Sequence, residues 1–444
     1  MTLPKNVIKV IDILSGNGYE AYVVGGSVRD MIMGKTPSDY DITTSALPEQ
    51  TKECFKDYTV VETGLKHGTV TVVMGGENIE ITTYRVDGEY LDNRRPEYVS
   101  FTRSLYEDLK RRDFTINAVA FSPKTGIIDP MGGANDIKNG VIRCVGDADR
   151  RFNEDGLRIL RAIRFAAQTG FEIEKDTARS IRENKNLIKN ISAERIFVEL
   201  KKLLCGGFAH RVISEYLEVL GVFLPEVLPM AGFEQNTKYH YCDVLEHTLT
   251  ALENSEDDEI TRLAVFLHDI GKPTAGYTDE NGVTHFMGHE EISRKIARDI
   301  LSRLKSDNET KAKVCKLIEF HGENISPTEL EIKKFISEHG FDFTKQLLKI
   351  KKADASAKAE EYRNPPEITE AEEIISRLET RKEPIFLSDL EVSGSDLIML
   401  GISGKRVGEI LKRLLGAVLE DKHQNNRETI LAMAEEIIKN ETDE

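Results

Sequence analysis

The chain has 444 residues, with 60 Lys and Arg against 76 Asp and Glu, which gives a formal net charge of −16. This acidic balance excludes a generally cationic protein that coats nucleic acid. At roughly 100–200 residues per domain the length predicts two to four domains, and a 40% share of hydrophobic residues is enough to form cores.

The sequence predicts a cytoplasmic protein with no membrane partner. Its longest apolar runs, such as 263–267, are far shorter than the ~20 residues that span a bilayer. Near the start of the chain, Lys9 and Asp12 interrupt the apolar segment that a signal peptide needs. The five cysteines are odd in number and lack CxxC spacing, which favours reduced thiols over a disulfide framework or a thiolate zinc site.

The pattern of apolar residues changes along the chain. Up to about residue 130, short or alternating apolar runs bounded by Gly, Pro and Asp predict strands with interspersed helices. From about 141 to 230 the spacing becomes helical, and after a linker at 230–236 histidines become frequent. We therefore predict an α+β fold, in which a small mixed sheet with helices precedes all-helical regions.

A strand, a glycine pair and a helix are predicted over residues 21–30, with Gly34 ending the helix. Glycines at such a turn, here including Gly26, let backbone N–H groups approach an anion. Ser27 and Arg29 would add a hydroxyl and a guanidinium to the same phosphate pocket. A strand-Gly-Gly-helix turn is often only a tight connection, so this segment alone leaves a purely structural role open.

Two aspartates follow this helix. Asp39 and Asp41 lie two residues apart in a predicted strand at 38–43, so their carboxylates face the same side. Like charges side by side are unfavourable unless a cation lies between them, and Mg²⁺ is commonly held by two carboxylates plus substrate phosphates. Two solvent-facing edge aspartates are the alternative. Glu80, on another predicted strand, is either a third ligand or an exposed glutamate.

The order of glycine-rich loop, helix and Asp-x-Asp strand is that of the polymerase-beta-like nucleotidyltransferases. The amino-acid sequence of residues 25–30 and 39–41 closely resembles that of the class II family of bacterial CCA-adding enzymes and poly(A) polymerases. Four further segments match this family in its order, namely 92–96, 111–118, 129–133 and 154–165. The resemblance covers roughly residues 20–220 and implies a polymerase-beta-like head followed by a helical neck and body.

Arg112 and Asp113 fall in one of the matching segments. Asp113 is a good helix N-cap, a structural role that is compatible with a ribose contact. Arg112 has no such local explanation in the sequence, and the resemblance implies that it contacts the incoming nucleotide. A planar, permanently charged donor suits a triphosphate.

Asp155, Arg158, Arg161 and Arg164 follow one another at intervals of three along a predicted helix, which keeps them on one side. Ion pairs within the helix, of Arg158 with Asp155 or Glu154, are the structural alternative. Three arginines without matching acids favour an anionic ligand. The resemblance implies that Asp155 accepts from the exocyclic amino group of cytosine or adenine, that Arg158 donates to the adjacent ring acceptor, and that Arg161 and Arg164 assist.

The resemblance implies two-metal nucleotidyl transfer, in which an RNA 3′-hydroxyl attacks the α-phosphate of CTP or ATP and the paired aspartates hold Mg²⁺. The segment 85–96, with Asp92, Arg94 and Arg95, resembles the flexible loop of enzymes that add all of CCA to tRNA. Addition of the complete CCA is therefore the preferred prediction. A CC-adding or A-adding specialist and a poly(A) polymerase remain as alternatives within the family.

A second cluster of candidate ligands begins at His247, continues with the adjacent His268 and Asp269, and ends at Asp354. Neutral imidazoles and carboxylates suit a divalent transition metal such as Ni²⁺ or Mn²⁺. The order of these residues resembles the HD phosphohydrolase superfamily, which implies phosphatase or 2′,3′-cyclic phosphodiesterase activity. One alternative interpretation of the whole chain makes this hydrolysis its main activity, and another makes the chain a non-catalytic RNA-binding scaffold.

The remaining histidines divide into two groups. His289 and His321 could extend the cluster, whereas His240, His285 and His339 are expected to be packed or surface residues.

The sequence and its resemblances predict four regions. Residues 1–140 form the nucleotidyltransferase head, 141–230 a helical neck and body for nucleotide selection and RNA binding, 231–360 an HD domain, and 361–444 a helical tail that binds tRNA. The tail carries no readable motif, so it could instead complete the HD core. The expected partners are tRNA, CTP and ATP, and no protein partner is predicted.

Overall fold

The computed structural model describes residues 1–62, 64–65, 68–88 and 99–442. The loop residues Asp92, Arg94 and Arg95 lie outside these described residues. The chain forms two compact units, of which the first comprises 1–228 with 300–306 and the second 229–299 with 307–444. No helix in the described part of the chain combines the length and hydropathy needed to cross a membrane.

Seven strands of the first unit form one mixed sheet, and its other strands form separate pairs. In chain order they are β1 (Ala21–Val24), β2 (Asp41–Thr44), β3 (Thr59–Val61), β4 (Thr69–Met74), β5 (Glu77–Thr83), β6 (Arg85–Asp87), β7 (Val99–Phe101), β8 (Ala120–Ser122), β9 (Gly126–Ile128), β10 (Val141–Ile142) and β11 (Glu172–Ile173). The sheet has the order β3-β4-β5-β2-β1-β8-β9. Within this seven-stranded sheet, as far as the described residues show, β2 and β5 are the one parallel pair, and β10 and β11 form a separate parallel pair. The two carboxylate-bearing strands are therefore neighbours at the centre of the sheet.

Burial explains why these segments form a sheet. Side chains of β4 alternate between buried and half-buried, as expected when one face of a strand is covered. The central strand β1 is buried along its whole length. An amphipathic helix at Lys5–Gly16, called α1, contributes a buried stripe at helical spacing that includes Val7, Val10 and Leu14.

The other helices of the first unit follow in chain order. They are α2 (Gly26–Ile32), α3 (Pro48–Cys54), α4 (Leu105–Lys110), α5 (Gly133–Asn139), α6 (Ala148–Glu154), α7 (Leu157–Thr169), α8 (Lys175–Asn184), α9 (Ala193–Leu204), α10 (Ala209–Glu215) and α11 (Leu217–Leu220). Helix α7 is buried on most sides and packs against α9. From α6 onward this unit is almost entirely helical, as the change in periodicity predicts.

The second unit is helical apart from a short hairpin of β12 (Tyr277–Thr278) and β13 (Thr284–His285). Its helices are α12 (Val244–Glu253), α13 (Glu259–Leu267), α14 (Lys272–Ala275), α15 (His289–Arg303, of which residues 300–303 belong to the first unit), α16 (Asn308–Phe320), α17 (Glu329–His339), α18 (Phe341–Ser356), α19 (Pro366–Arg381), α20 (Gly394–Met399), α21 (Lys405–Glu420) and α22 (Arg427–Thr442). Helices α12, α13, α16 and α18 pack against one another. The predicted α+β fold class is confirmed.

The C-terminal helices α19 to α22 share a hydrophobic core with α17 and α18. Ile332 and Ile336 of α17 are completely buried together with Leu397, Leu414 and Ile430 from the chain beyond residue 360. The segment after residue 360 thus packs on helices of the same unit. Its role in binding tRNA and the four-part domain division stay predictions.

Candidate functional sites

The turn between β1 and α2 lies next to two of the predicted site residues. Gly25 has φ +74° and ψ −138°, a conformation that residues with a side chain rarely adopt. A Cβ atom at this position would lie 3.5 Å from Arg112 Nη1 and 3.8 Å from Asp41 Oδ2. The loop, a guanidinium and a carboxylate therefore surround one point, and Gly34 follows the end of α2 at φ +75° as predicted.

Ser27 and Arg29 of α2 are each held by protein partners. The Ser27 hydroxyl donates to the Val24 carbonyl oxygen at 3.0 Å and is buried, so it fastens the turn. Arg29 donates to the Asn117 side chain at 3.1 Å and pairs with Asp30 at 2.8 Å. Its contact with a ligand, like that of Ser27, stays a prediction.

Asp41 and Glu80 are paired on the central strands, and Asp39 lies close enough to affect Asp41 electrostatically. Strand β2 begins at Asp41, so Asp39 precedes the strand, which is shorter at its start than the strand predicted over residues 38–43. Asp41 is in register with Glu80 of the parallel strand β5. Partial removal from water raises the pKa of Asp41 to about 6, and the charges of Asp39 and Glu80 add to this against the opposing charge of Arg112. Clustered carboxylates of this kind fit a divalent cation.

Arg112 has a local partner, which corrects the sequence prediction. Its Nη2 lies 3.4 Å from Oδ2 of the fully buried Asp108, one helical turn earlier. Asp108 pairs more closely with Arg111, at 2.7 Å. The buried Nε of Arg112 makes no hydrogen bond within the described residues. A donor beside the glycine loop is thus left for a ligand.

The predicted helix through Asp155 is interrupted. Helix α6 ends at Glu154, Asp155 is extended with φ −146° and ψ 105°, and α7 starts at Leu157 after Gly156. Asp155 therefore lies between two helices and does not share a helix face with Arg158. Arg195 of α9, which the sequence prediction missed, pairs with Asp155 at 2.7 Å.

The prediction that the three arginines lack matching acids is wrong. Arg158 pairs with Glu154 at 2.6 Å, at the end of the preceding helix. Arg161 pairs with Asp113 at 2.6 Å, and Arg164 with Glu199 at 2.5 Å. The last two acids come from distant parts of the sequence, so spacing along one helix could not reveal them.

Asp113 is an ion-pair partner and not the predicted helix cap, because the following 3₁₀ helix begins only after Phe114. Its Oδ1 accepts from the Phe114 backbone at 2.8 Å and from the Asn117 side chain at 3.2 Å. Burial would raise the pKa of this carboxyl group, but the Arg161 guanidinium outweighs that effect and lowers the pKa to about 2. The Asp113 side chain is therefore ionised at neutral pH.

One aromatic ring connects the glycine loop with α7. The guanidinium carbon atoms of Arg29, Arg161 and Arg164 lie 5.2, 5.3 and 3.8 Å from the centre of the Phe165 ring. Cation–π attraction of this kind is stronger where water is excluded, and Phe165 is buried. Arginines predicted from separate motifs thus belong to one site.

In the second unit the structure brings His247, His268, Asp269 and Asp354 together, with their ligand atoms within 4.8 Å of one another. His247 lies on α12 and Asp354 on α18, while the His-Asp pair directly follows α13. His247 Nε2 is 2.9 Å from Asp354 Oδ1, and His268 Nε2 is 3.2 Å from Asp269 Oδ2. Helices α12 and α13 start at aspartate N-caps, which fix where these histidines lie.

The orientation of these rings fits a metal. His247 Nδ1 faces the Ala357 carbonyl oxygen at 3.3 Å and His268 Nδ1 that of Val265 at 2.6 Å. A carbonyl oxygen only accepts, so each Nδ1 carries a proton, and the Nε2 of a neutral ring is then the atom that can bind a metal. Within the described residues, His268 Nε2 and both oxygens of Asp269 have no hydrogen-bond partner, although Lys272 Nζ lies 2.7 Å from Asp269 Oδ2. Buried polar atoms of this kind fit an ion.

A cavity of about 770 Å³ opens onto this cluster. Three lysines line it, namely Lys272, Lys351 and Lys358. His240 also lines it and packs edge-on against His247, and burial together with the Lys272 charge lowers the pKa of His240 to about 3. The cavity wall is suited to an anionic ligand.

His285 and His339 lie elsewhere, in keeping with the roles expected from the sequence. His285 bonds to Asp279 at 2.9 Å, and His339 packs among Phe320, Phe335 and Phe343.

Three protein families match successive parts of the chain. Residues 21–143 match the Poly A polymerase head domain, and residues 170–229 match a probable RNA and SrmB-binding site of polymerase A. Residues 237–379 match the HD domain. The third match contains the histidine–aspartate cluster.

Relatives and solved structures agree with these families. A CCA-adding enzyme of Geobacillus thermodenitrificans is 48% identical over 222 residues, 50% of this chain and 54% of the relative. One of Geobacillus kaustophilus is 50% identical over 216 residues, 49% and 52% of the two chains. The chain thus spans about half the length of the curated relatives that it matches. The crystal structure of a Bacillus stearothermophilus CCA-adding enzyme in complex with CTP superposes with a TM-score of 0.74 at 30% identity, covering 100% of both chains.

Proposed function

The chain belongs to the family of CCA-adding enzymes, and from this premise we propose that it adds CCA to the 3′ end of tRNA with CTP and ATP as substrates. One observation carries the proposal, namely that the glycine loop, Asp41 and Arg112 surround a single point. A carboxylate for a metal and a guanidinium for phosphates are what nucleotidyl transfer needs at that point.

Asp39 and Asp41 would hold Mg²⁺, with Glu80 as a neighbouring carboxylate. The raised pKa of Asp41, which partial removal from water and the neighbouring carboxylates cause, supports this assignment because a divalent cation would relieve the repulsion. When bound, Mg²⁺ would favour ionisation of the tRNA 3′-hydroxyl and neutralise charge on the leaving pyrophosphate. Arg112, through its unpartnered Nε, and Arg29 would orient the triphosphate.

Asp155 and Arg158 would select the base. Arg195 holds the Asp155 carboxylate through two donors, at 2.7 and 3.3 Å, and Glu154 holds Arg158. A fixed acceptor beside a fixed donor matches the amino group and ring nitrogen of cytosine or adenine, whereas uracil and guanine carry a carbonyl group at the corresponding position. The protein would thus discriminate between bases without a nucleic-acid template.

The test is extension of tRNA that lacks CCA, with Mg²⁺ and either CTP, ATP or both, resolved at single-nucleotide length. Addition of two residues with CTP and three with both nucleotides is expected. Two residues at most would indicate a CC-adding enzyme, one A added only to tRNA ending in CC an A-adding enzyme, and a long tail a poly(A) polymerase. Absence of any extension would overturn the proposal. A cytoplasmic location belongs to the same proposal, supported by five free cysteine thiols.

We further propose that the second unit hydrolyses phosphomonoesters or 2′,3′-cyclic phosphates with a bound transition metal such as Mn²⁺ or Ni²⁺. The buried His268 Nε2, which makes no hydrogen bond within the described residues, and the adjacent Asp269 lie beside a lysine-lined cavity and favour this activity. Incubation with Mn²⁺ and either 2′,3′-cyclic AMP or p-nitrophenyl phosphate tests it. His268→Ala should abolish hydrolysis and His285→Ala should leave it unchanged, whereas equal activity in both variants would contradict the proposal.

A further inference from the structure

Asn117 lies beside the glycine turn of the first unit and contacts two of the arginines there. It is the last residue of the 3₁₀ helix Thr115–Asn117 and is only 6% exposed. Its side-chain oxygen accepts from Arg29 Nη1 at 3.1 Å, and its main-chain carbonyl oxygen accepts from Arg112 Nη1 at 3.4 Å. One residue thus contacts both guanidinium groups, the first through its side chain and the second through its backbone.

The same two guanidinium groups lie at successive glycines of the turn. A Cβ atom on Gly25 would lie 3.5 Å from Arg112 Nη1, and one on Gly26 would lie 3.6 Å from Arg29 Nη2. No side chain of the turn therefore separates its backbone from either group. An anion at this turn meets two planar donors, which is an arrangement suited to the phosphates of a nucleotide.

The nitrogen of the Asn117 amide connects the turn with the arginines of α7. It donates to Asp113 Oδ1 at 3.2 Å, and Asp113 Oδ2 pairs with Arg161 at 2.6 Å. Because a guanidinium only donates and an ionised carboxylate only accepts, the amide oxygen must face Arg29 and the amide nitrogen must face Asp113. An apolar or an ionised side chain of the same size could not make both bonds.

These contacts close into a ring at Phe165. The guanidinium carbon atoms of Arg29 and Arg161 lie 5.2 and 5.3 Å from the centre of this aromatic ring. Arg29 also pairs with Asp30 at 2.8 Å. Since Asp30 is the next residue on the same helix, only the contacts with Asn117 and Phe165, among these, fix the Arg29 guanidinium relative to other elements. The amide of Asn117 is the hydrogen-bonding one of the two.

We propose that Asn117 is a positioning residue for nucleotide addition, which acts through Arg29 and holds its guanidinium towards the triphosphate of CTP or ATP. The inference rests on the proposed function. Because base selection is assigned to Asp155 and Arg158, removal of the Asn117 amide should weaken the binding of CTP, ATP and UTP alike. The contact with Arg112 comes from the backbone and does not depend on the side chain, so the effect belongs to Arg29.

Equilibrium dialysis of the full chain with labelled CTP and Mg²⁺, without tRNA, tests the inference. Asn117→Ala should raise the Kd of CTP about tenfold, since it removes a hydrogen bond to a charged group. The ratio of the Kd values for CTP and UTP should stay unchanged. Thr115→Val is the matched control, because Thr115 lies on the same 3₁₀ helix and its buried hydroxyl donates to Asp136 at 2.6 Å. It should keep the parental Kd.

A double-mutant cycle with Arg29→Met separates positioning from a purely structural role. If Asn117 acts through Arg29, Asn117→Ala should change the Kd by less than about twofold in the Arg29→Met chain, because the two substitutions then remove the same interaction. If Asn117→Ala does not fold, as judged by circular dichroism, Asn117→Ser replaces it with the same expected loss, because the shorter side chain cannot span both partners.

Two results would overturn the inference, namely an unchanged Kd in Asn117→Ala, or the same loss of affinity with and without the Arg29 guanidinium. Either result in a parent chain that extends tRNA would leave the proposed function intact. A parent chain that neither binds CTP nor extends tRNA would overturn both.

Discussion

The two candidate sites satisfy their charged groups in opposite ways. In the first unit Arg158, Arg161 and Arg164 each have a carboxylate partner, which is local for Arg158 and distant in the sequence for the other two. In the second unit the histidines are fixed through Nδ1, while Nε2 of His268 and both oxygens of Asp269 have no hydrogen-bond partner among the described residues. The first arrangement is stable on its own and holds donors ready for a nucleotide. In the second, Lys272 lies 2.7 Å from Asp269 Oδ2 but His268 Nε2 makes no hydrogen bond, and a bound cation would relieve the cost of such an unsatisfied buried group.

The largest loss of stability is expected when the buried ion pair between Arg164 and Glu199 is broken. Both side chains are less than 10% exposed, at 9% and 7%. Glu199→Ala should lower the free energy of unfolding by about 3–5 kcal/mol, since it leaves a buried guanidinium without its counter-charge. Urea denaturation measures the change. The matched variant Arg164→Met, Glu199→Leu should recover most of the loss, and an equal loss in both would contradict the pairing argument.

Metal removal should affect the two units unequally. Ligand binding stabilises a folded state by about 2.7 kcal/mol when the free ion is 100-fold above its Kd. Addition of Mn²⁺ after chelation should therefore raise the stability of the second unit by about that amount. Hydrogen exchange at α13 and α18, compared with α7, measures the two units separately. Equal protection of α7 by Mn²⁺ in an Asp39→Asn, Asp41→Asn chain would contradict the assignment of the metal effect to the histidine cluster.

Lowering the pH should destabilise the first unit through protonation of Asp113. Its pKa in the folded chain is lowered to about 2, because Arg161 outweighs the effect of burial. A lowered carboxylate pKa contributes stability that is present above the ordinary aspartate pKa and is lost as the pH falls from about 4 to 2. Asp113→Asn should reduce the loss of stability across this interval by about 2 kcal/mol, as measured by urea denaturation at each pH. An unchanged pH profile would contradict the assigned ion pair.

A smaller effect is expected from Arg195, which positions Asp155. Arg195→Ala removes the two donors that fix the Asp155 carboxylate. Incorporation of CTP relative to UTP should fall about tenfold, corresponding to about 1.4 kcal/mol. Single-turnover incorporation of each nucleotide measures the ratio. Lys201→Ala, on the same helix α9, serves as the control and should keep the parental ratio, whereas a uniform loss with both nucleotides would indicate a merely structural role for Arg195.

The sequence predicted secondary-structure elements better than it predicted which charged side chains pair with one another. Strand, glycine loop and helix over residues 21–34 are found as predicted, because the glycines and apolar runs act locally. The break at Asp155 was missed, although the Asp-Gly pair is a turn signal. The structure explains why position 156 is a glycine, since a Cβ atom there would lie 2.9 Å from the Leu187 carbonyl oxygen.

The charged partners that the sequence did not predict are determined by tertiary contacts. Asp113 and Glu199 reach the arginines of α7 from 48 and 35 residues away, so periodicity along one helix cannot identify them. Arg195 lies 40 residues from Asp155 and had no sequence signal at all. The order of His247, His268, Asp269 and Asp354 did predict a cluster, because a shared ligand chemistry is visible without knowing the fold.

The central claim is that the carboxylates beside the glycine loop carry out nucleotide addition. The most direct measurement is the number of nucleotides incorporated per tRNA lacking CCA, with CTP, ATP and Mg²⁺, by the parent, Asp41→Asn and Asp269→Asn chains. We predict that Asp41→Asn loses incorporation by more than about 100-fold while binding tRNA normally, and that Asp269→Asn incorporates three nucleotides like the parent. Undiminished incorporation by Asp41→Asn would contradict the account.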